Sequence, residues 1–249
     1  MLYNSHDMYI GRSLELYSEY SEGEIDLFRQ MVKPGDIVLE IGSNIGPHTV
    51  FLARQVEPGG HVFAFEPQRI VFQTLCANLA LNSITNVSCF NQAVGAKPGE
   101  IVVPLIDYRQ VANFGGLALG EFKQGEQIKV ITIDSLLLPR CNLIKIDVEG
   151  MELSVLQGAI ACLARFKPML YVENDRREKS AELVRFLDSC DYDMYWHSPP
   201  LFNPQNFAGN AENVFDNIIS RNMLCIHRSI ARQLDGFQPV QVPYGTTAE

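Results

Sequence analysis

The sequence predicts an α/β fold: a mostly parallel central sheet that ends in an antiparallel hairpin and carries a small inserted β excursion. Three observations predict it. Short apolar runs alternate with segments of helical period as far as Asn91, the β-α-β-α-β rhythm of a right-handed parallel sheet. The rhythm resumes at Leu143 with two further strand-helix units. Near the end, the runs at 192–197 and 222–227 have no crossover helix between them, so they should pair as a hairpin.

Each element has its own local reason. Residues 21–32 read as a helix with Ile25, Phe28 and Val32 on one face, and Ser21 with Glu24 three residues on forms a capping-box pattern. Pro34-Gly35-Asp36 turns the chain into a strand at 37–41. Pro47 stands where a helix can begin without its N–H, and that helix should run to about Gln55, before Pro58-Gly59-Gly60. A strand at 62–65 leads to Glu66. The next helix, to about Asn82, carries Val71, Leu75 and Leu79 on one face. A third strand covers about 87–91. Residues 99–134 break the rhythm: strand-like runs at 101–105 and 128–133 surround the glycine-rich 113–120, an inserted antiparallel excursion with a mobile loop. A strand at 143–147, a helix at 152–166, a strand at 169–173 and a helix at 179–190 follow. The connection 198–220 holds three prolines and five asparagines without helical period. A connection that long is usually functional or disordered.

The expected organisation is a single domain over 1–228, with an N-terminal helical cap to about 34, a core from about 35, and a surface tail at 229–249. A chain of 249 residues with 47% hydrophobic content suits one such domain, and 20% charged content without low-complexity tracts argues against long disorder. Net charge is −9, which disfavours a phosphate-backbone partner, so no nucleic acid is expected. The pair Arg176-Arg177 reads as a solvated helix start. No two of the six cysteines form a Cys-x-x-Cys pair, and most lie in apolar runs, as buried reduced thiols do. The first residues lack a signal-peptide core and no run approaches ~20 apolar residues, so a cytoplasmic protein without a membrane span is expected.

The stretch Val38-Leu39-Glu40-Ile41-Gly42-Ser43-Asn44-Ile45-Gly46 ends an apolar strand in Glu-x-Gly-x-x-x-Gly, and a second apolar strand ends in Glu66. Glycines let a backbone turn sharply and approach a ligand closely. An acid after the second strand can hydrogen-bond both hydroxyls of a ribose. The pattern resembles the cofactor site of Rossmann-like S-adenosylmethionine (SAM) methyltransferases, which implies cofactor contacts from Glu40, Gly42, Ser43, Asn44, Gly46, Glu66 and Asp147. A dinucleotide turn instead reads G-x-G-x-x-G and offers helix N–H groups to a pyrophosphate. A carboxylate at Glu40 would repel that group and attract the cationic α-amino group of a methionine moiety. An NAD-dependent oxidoreductase is therefore disfavoured, and a non-catalytic SAM- or nucleotide-binding domain is the alternative.

A narrower resemblance rests on Asn142-Leu143-Ile144-Lys145-Ile146-Asp147-Val148-Glu149-Gly150-Met151-Glu152, followed by Val155-Leu156-Gln157-Gly158-Ala159, together with Gly42-Ser43-Asn44-Ile45-Gly46 and Thr49. These look like the motifs of the FkbM family of methyltransferases, over about 8–227. The resemblance implies a class I methyltransferase fold and SAM-dependent methyl transfer to a hydroxyl of a sugar or other small molecule.

Ligands of open α/β sheets bind at the carboxyl ends of the strands, where Glu40, Glu66, Asp147 and Glu173 all fall. So many carboxylates on one rim repel one another unless a cation neutralises them. Lys145 alternates away from Ile144 and Ile146 and shares a face with Asp147, which suits an ion pair. Glu149 and Glu152 read equally well as acids at a helix N-terminus. Methyl transfer to an alcohol needs alignment and a proton acceptor, for which Asp147, His48, His197 and Glu173 are candidates, with Lys145 beside them. An oxygen set of Asp147, Glu173 and Asn174 could hold Mg²⁺. The metal-free route is favoured, because the same oxygens can serve as hydrogen-bond acceptors for cofactor and substrate.

Overall fold

The computed structural model describes residues 1–117, 122–230 and 236–243. The chain begins with α1 (Ile10–Tyr17) and α2 (Glu22–Met31). Then follow β1 (Ile37–Ile41), α3 (Pro47–Gln55), β2 (His61–Phe65), α4 (Arg69–Leu81) and β3 (Val87–Phe90). The excursion supplies β4 (Ala93–Val94), β5 (Gly99–Val103) and β6 (Glu126–Ile131), and a 3-10 turn at Ile133–Leu136 returns the chain to the core. β7 (Leu143–Ile146), α5 (Glu152–Gln157), α6 (Ile160–Phe166), β8 (Met169–Glu173) and α7 (Arg177–Ser189) complete the parallel part. β9 (Tyr192–His197), β10 (Asn222–His227) and β11 (Gln238–Pro239) close the sheet.

The main sheet has eight strands in the order β11-β9-β10-β8-β7-β1-β2-β3. Strands β3, β2, β1, β7 and β8 run parallel, and β10 enters antiparallel between β8 and β9. The fold is α/β with a mostly parallel sheet and an antiparallel hairpin, as the sequence predicts. Period-two alternation sorts the strand side chains between two apolar layers. Leu39, Ile41, Ile144, Ile146, Leu170 and Val172 pack against α5, α6 and α7. Val38, Leu143, Tyr171 and Leu224 pack against Phe28 of α2 and Leu52 of α3, and α4 adds Leu75 and Leu79 over Ala64. Among the described residues no helix is long and apolar enough to cross a membrane.

Four details differ from the sequence reading. The helix expected over 152–166 is two helices. Gly158 passes so close to Gly95 that a Cβ would lie 2.1 Å from its carbonyl oxygen, and Asp134 accepts the N–H groups of Ala161 and Cys162 at 2.9 and 2.8 Å, starting α6 afresh. The capping box at Ser21 does not form: Ser21 takes φ +50° and its side chain makes no capping hydrogen bond to the helix it precedes. The excursion is a mixed sheet, with β4 parallel and β5 antiparallel to β6. Where a surface tail is expected, β11 pairs with β9, and Val240 and Val242 pack on the larger core. Residues 118–120 of the glycine-rich loop and 231–235 and 244–249 of the tail lie outside the described residues.

Candidate active site

The turn after β1 is built on positive φ angles: Gly42 at +87°, Asn44 at +50° and Gly46 at +89°. Gly42 has a second constraint. A Cβ there would lie 1.9 Å from the backbone oxygen of Asp147, so the turn presses against the end of β7. The N–H groups of Gly42 and Ser43 both donate to the Phe65 carbonyl at 3.0 Å, and the Ser43 hydroxyl donates to the Glu40 carbonyl at 3.0 Å. Glu66 completes the turn. Its Oε2 accepts the N–H of Asn44 at 3.0 Å and its Oε1 accepts the N–H of Gln68 at 2.8 Å.

Strand register builds the second part. Glu40 stands opposite Lys145, Lys145 opposite Tyr171, and Tyr171 opposite Leu224, one row on the α2–α3 face. Lys145 is 2% exposed and donates to Asp147 Oδ2 at 3.1 Å. Burial alone would disfavour its ammonium, but Asp147, Glu40 and Glu24 together raise its pKa above the usual lysine value. Glu40 Oε2 accepts the Thr49 hydroxyl at 2.6 Å, while Oε1 is buried without a hydrogen-bond partner among the described residues.

The turn, Lys145 and the strand ends border a cavity of about 310 Å³. Its wall carries Glu24, Glu66, Asp147, Glu149, Glu173 and Asp175 against three cations, Lys145, Arg176 and Arg221. Asn113, Gly115 and Gly116 of the excursion and Leu201, Ile218, Ile219 and Ser220 of the long connection also line it. Burial pushes Glu66 up to about 7 against the two N–H groups that it accepts, and Glu40 up to about 7 against Lys145 and Thr49. Burial, then the neighbouring Asp147, raises Glu149 to about 7 despite its ion pair with Arg176. Burial, Asp147 and Glu149 together hold Glu173 far above the ordinary carboxylate range. Burial, then Lys145, keeps His48 well below the usual imidazole value, so its ring is neutral.

Of the residues singled out from the sequence, Gly42, Ser43, Asn44, Glu66, His48, Lys145, Asp147 and Glu173 line this one cavity. Gly46 shapes the turn from behind, beside Leu75. Glu40 is not on the cavity wall: it shares a row with Lys145 but is 1% exposed, with its Oε2 taken by the Thr49 hydroxyl. His197 is not at the cavity either. Its Nδ1 lies 2.8 Å from the Tyr171 hydroxyl, and its ring packs near Phe237. Asn174 points to the opposite sheet face, where its amide donates to Met223 Sδ, because adjacent strand residues face opposite ways. The oxygen set expected from Asp147, Glu173 and Asn174 is therefore not assembled. Asp147, Glu149 and Glu173 instead each offer an oxygen, all within 4.8 Å of one another, but Asp147 is paired with Lys145 and Glu149 with Arg176. Glu152 takes the turn role, accepting the Gly150 N–H at 2.8 Å. Arg176 is no solvated helix start, since it binds Glu149 at the cavity. Sequence reasoning missed Glu24, Tyr20, Asn222 and Arg221. The failed capping box left Glu24 free to turn inward, and no local spacing links it to Asn222, 198 residues on.

These shifts give the protein a pH signature. Glu40, Glu66 and Glu149 have folded-state pKa values near 7, above an unfolded value near 4.5. Between those values the folded chain binds more protons, so their contribution is full below about 4.5 and is lost as pH rises through 7. His48, His61 and His197, all lowered by burial, act the other way below about 6.5. The urea midpoint is thus expected to fall from about pH 6.5 to about pH 8.5, and Glu40→Gln should flatten that slope. A midpoint that rises over this interval would contradict the assignment.

Comparison with known proteins places these features in a family. Residues 40–194 match the family model described as the methyltransferase FkbM domain. The hexuronic acid methyltransferase AglP of Haloferax volcanii is 28% identical over 148 residues, covering 55% of this chain and 56% of that protein. Methyltransferase 1 of Beauveria bassiana is 26% identical over 146 residues, covering 49% of this chain and 57% of that protein. The chain thus spans little more than half the length of either relative. In three dimensions it resembles methyltransferase FkbM from Methylobacillus flagellatus, with a TM-score of 0.54, 18% identity, and coverage of 81% of this chain and 50% of that one. It also resembles the precorrin 8W decarboxylase of Methanobacterium thermoautotrophicum, with a TM-score of 0.52, 14% identity, and coverage of 91% and 99%. At these identities the structural likeness speaks for the fold alone.

Proposed function

This chain belongs to the methyltransferase FkbM domain family, and we propose that it is an S-adenosylmethionine-dependent O-methyltransferase acting on a hydroxyl of a sugar or other small molecule. One observation carries the cofactor reading. The Glu66 carboxylate is held in the cavity wall by two backbone N–H groups, beside a turn whose Gly42 leaves no room for a side chain. Each Glu66 oxygen has a lone pair beyond the N–H that it accepts, as two ribose hydroxyls require. The remaining wall is rich in carboxylates, which suits a cationic ligand and opposes a pyrophosphate. Glu66 would hold the ribose, the Gly42–Asn44 backbone would border the cofactor, and Asp147 and Glu149 would face its ammonium. The bound cofactor supplies a methyl group already activated for displacement. Glu40 acts from below, bracing the turn through Thr49 and balancing Lys145.

The chain's own part is alignment and proton removal. Lys145 stays charged and accepts no proton; it holds Asp147 in place. Glu173, kept protonated, is a donor rather than a base. His48 is neutral and lines the cavity, so it is the proton acceptor of this reading. With Lys145 and Arg176 already balancing two of the three clustered carboxylates, the reading needs no metal. The relative named for hexuronic acid supports a sugar as the acceptor class.

Calorimetric titration tests the cofactor. S-adenosylhomocysteine (SAH) should bind and NAD should not. Glu66→Ala should weaken SAH about tenfold to a hundredfold, the worth of a hydrogen bond to a charged group. Binding of NAD instead would sink the proposal, and unchanged affinity in Glu66→Ala would remove Glu66 from the site. Binding without turnover on any of a panel of uronic acids, neutral sugars and phenols would favour a non-catalytic binding domain.

A further inference from the structure

Glu24 is the one acid of the cavity wall that comes from the helical cap. It lies in the first turn of α2 and is 5% exposed. A buried carboxyl is costly unless something requires it, and helix capping does not. Its Oε1 accepts the Asn222 amide at 3.2 Å. Its Oε2 stands 3.7 Å from His48 Nε2. His48, at the second residue of α3, is 4% exposed, and its Nε2 is buried without a hydrogen-bond partner among the described residues. The rings of Phe28 and Tyr20 flank the imidazole at 5.6 and 5.8 Å, which limits its rotation. The charged and titratable groups facing it are Glu24 from α2, Lys145 from β7 and the Tyr20 phenol.

We propose that Glu24 is a positioning residue whose carboxylate accepts the Nε2–H of His48, fixing the tautomer that leaves Nδ1 bare as the proton acceptor for the substrate hydroxyl. The 3.7 Å separation shortens to a hydrogen bond as the ligands bind, since catalytic hydrogen bonds are often long in unliganded sites. The inference rests on the methyl-transfer reading. In the balanced step the hydroxyl oxygen forms the new O–C bond while the donor S–C bond breaks. The sulfur keeps that electron pair, and the hydroxyl proton ends on Nδ1. Asn222 holds the carboxylate from its other oxygen, so the pair is supported from β10 as well as from α2.

Nitrogen-15 NMR of the imidazoles tests this on the full chain, with His48 assigned by the signal lost in His48→Gln. Wild type with SAH as probe should show one tautomer near neutral pH, protonated at Nε2. Glu24→Gln should erode that preference about tenfold or more, because an amide serves as donor and acceptor alike. Glu24→Asp should retain part of it. An Nδ1–H tautomer in the wild type would mean that Glu24 donates a proton to His48, and would overturn the proposal. So would a tautomer that Glu24→Gln leaves unchanged. If Glu24→Gln fails to fold, the wild-type tautomer and Glu24→Asp decide. The same spectra report SAH binding independently: its absence would count against the methyl-transfer reading, whereas an unchanged tautomer with SAH bound would count against Glu24 alone.

Discussion

Gly42→Ala is expected to lower stability by about 3–5 kcal/mol, the range of severe single substitutions, and to abolish SAH binding. Two costs combine. The residue sits at φ +87°, where a side chain costs about 1–2 kcal/mol. The added Cβ would also meet the Asp147 backbone oxygen at 1.9 Å, and this neighbour cannot yield as a flexible side chain can. Asp147 donates its own N–H to the Ile41 carbonyl at 3.0 Å, while Gly42 and Ser43 are tied to Phe65. Separating the two segments therefore breaks the junction between β1, β2 and β7 at the glycine turn. Gly59→Ala is the control. Gly59 has a similar φ of +82° but nothing within 4 Å of a built Cβ, so only the conformational cost of about 1–2 kcal/mol applies. Urea unfolding of both variants, with SAH titration, separates the effects. Equal midpoint losses would show that the close approach to Asp147 is not what requires glycine.

The features legible in the sequence were those encoded locally. The strands from Val38, Val62 and Leu143 announce themselves through apolar runs bounded by Gly and Pro, and the glycine turn through its spacing. Period-two alternation placed Lys145 and Asp147 on one face, and the pair is there at 3.1 Å. The same rule, applied to Glu173-Asn174, would have separated them, since adjacent strand residues face opposite layers. It would also have set Glu40 in the interior row of β1 rather than in the turn.

What was not legible depends on partners far apart in the chain. Glu24 meets His48 and Asn222 because α2 packs on the same face of the sheet as α3, with Phe28 against Tyr171 of β8, and no short-range pattern records that packing. His197 and Glu173 both stand opposite Asn222, yet Tyr171 captures His197 while Glu173 faces the cavity. Their separation is a matter of side-chain packing that spacing does not encode. The break between α5 and α6 likewise comes from Asp134 and Gly95, contributed by the excursion.

Lys145→Met should cost about 3–5 kcal/mol near pH 8, the loss expected when one partner of a buried charge pair is removed. Met fills similar space without strain, so the loss is electrostatic. Lys145 lowers the pKa of both Glu40 and Glu24, and it is the hydrogen-bond donor to Asp147. Without it, the buried Glu40 carboxyl rises further above its present value near 7 and takes up a proton. The sign of the pH dependence follows. At about pH 5.5 Glu40 is already largely protonated in the folded state, so removing its cation matters less there than at pH 8, where the charge would be stranded. The Lys145→Met penalty is therefore expected to shrink on acidification. Glu40→Gln should recover part of it at pH 8, because that double variant removes charge from both sides of the row. Urea unfolding of wild type, Lys145→Met and the double variant at the two pH values measures each quantity. A penalty independent of pH, with no recovery from Glu40→Gln, would show that Lys145 serves the row by packing rather than by charge.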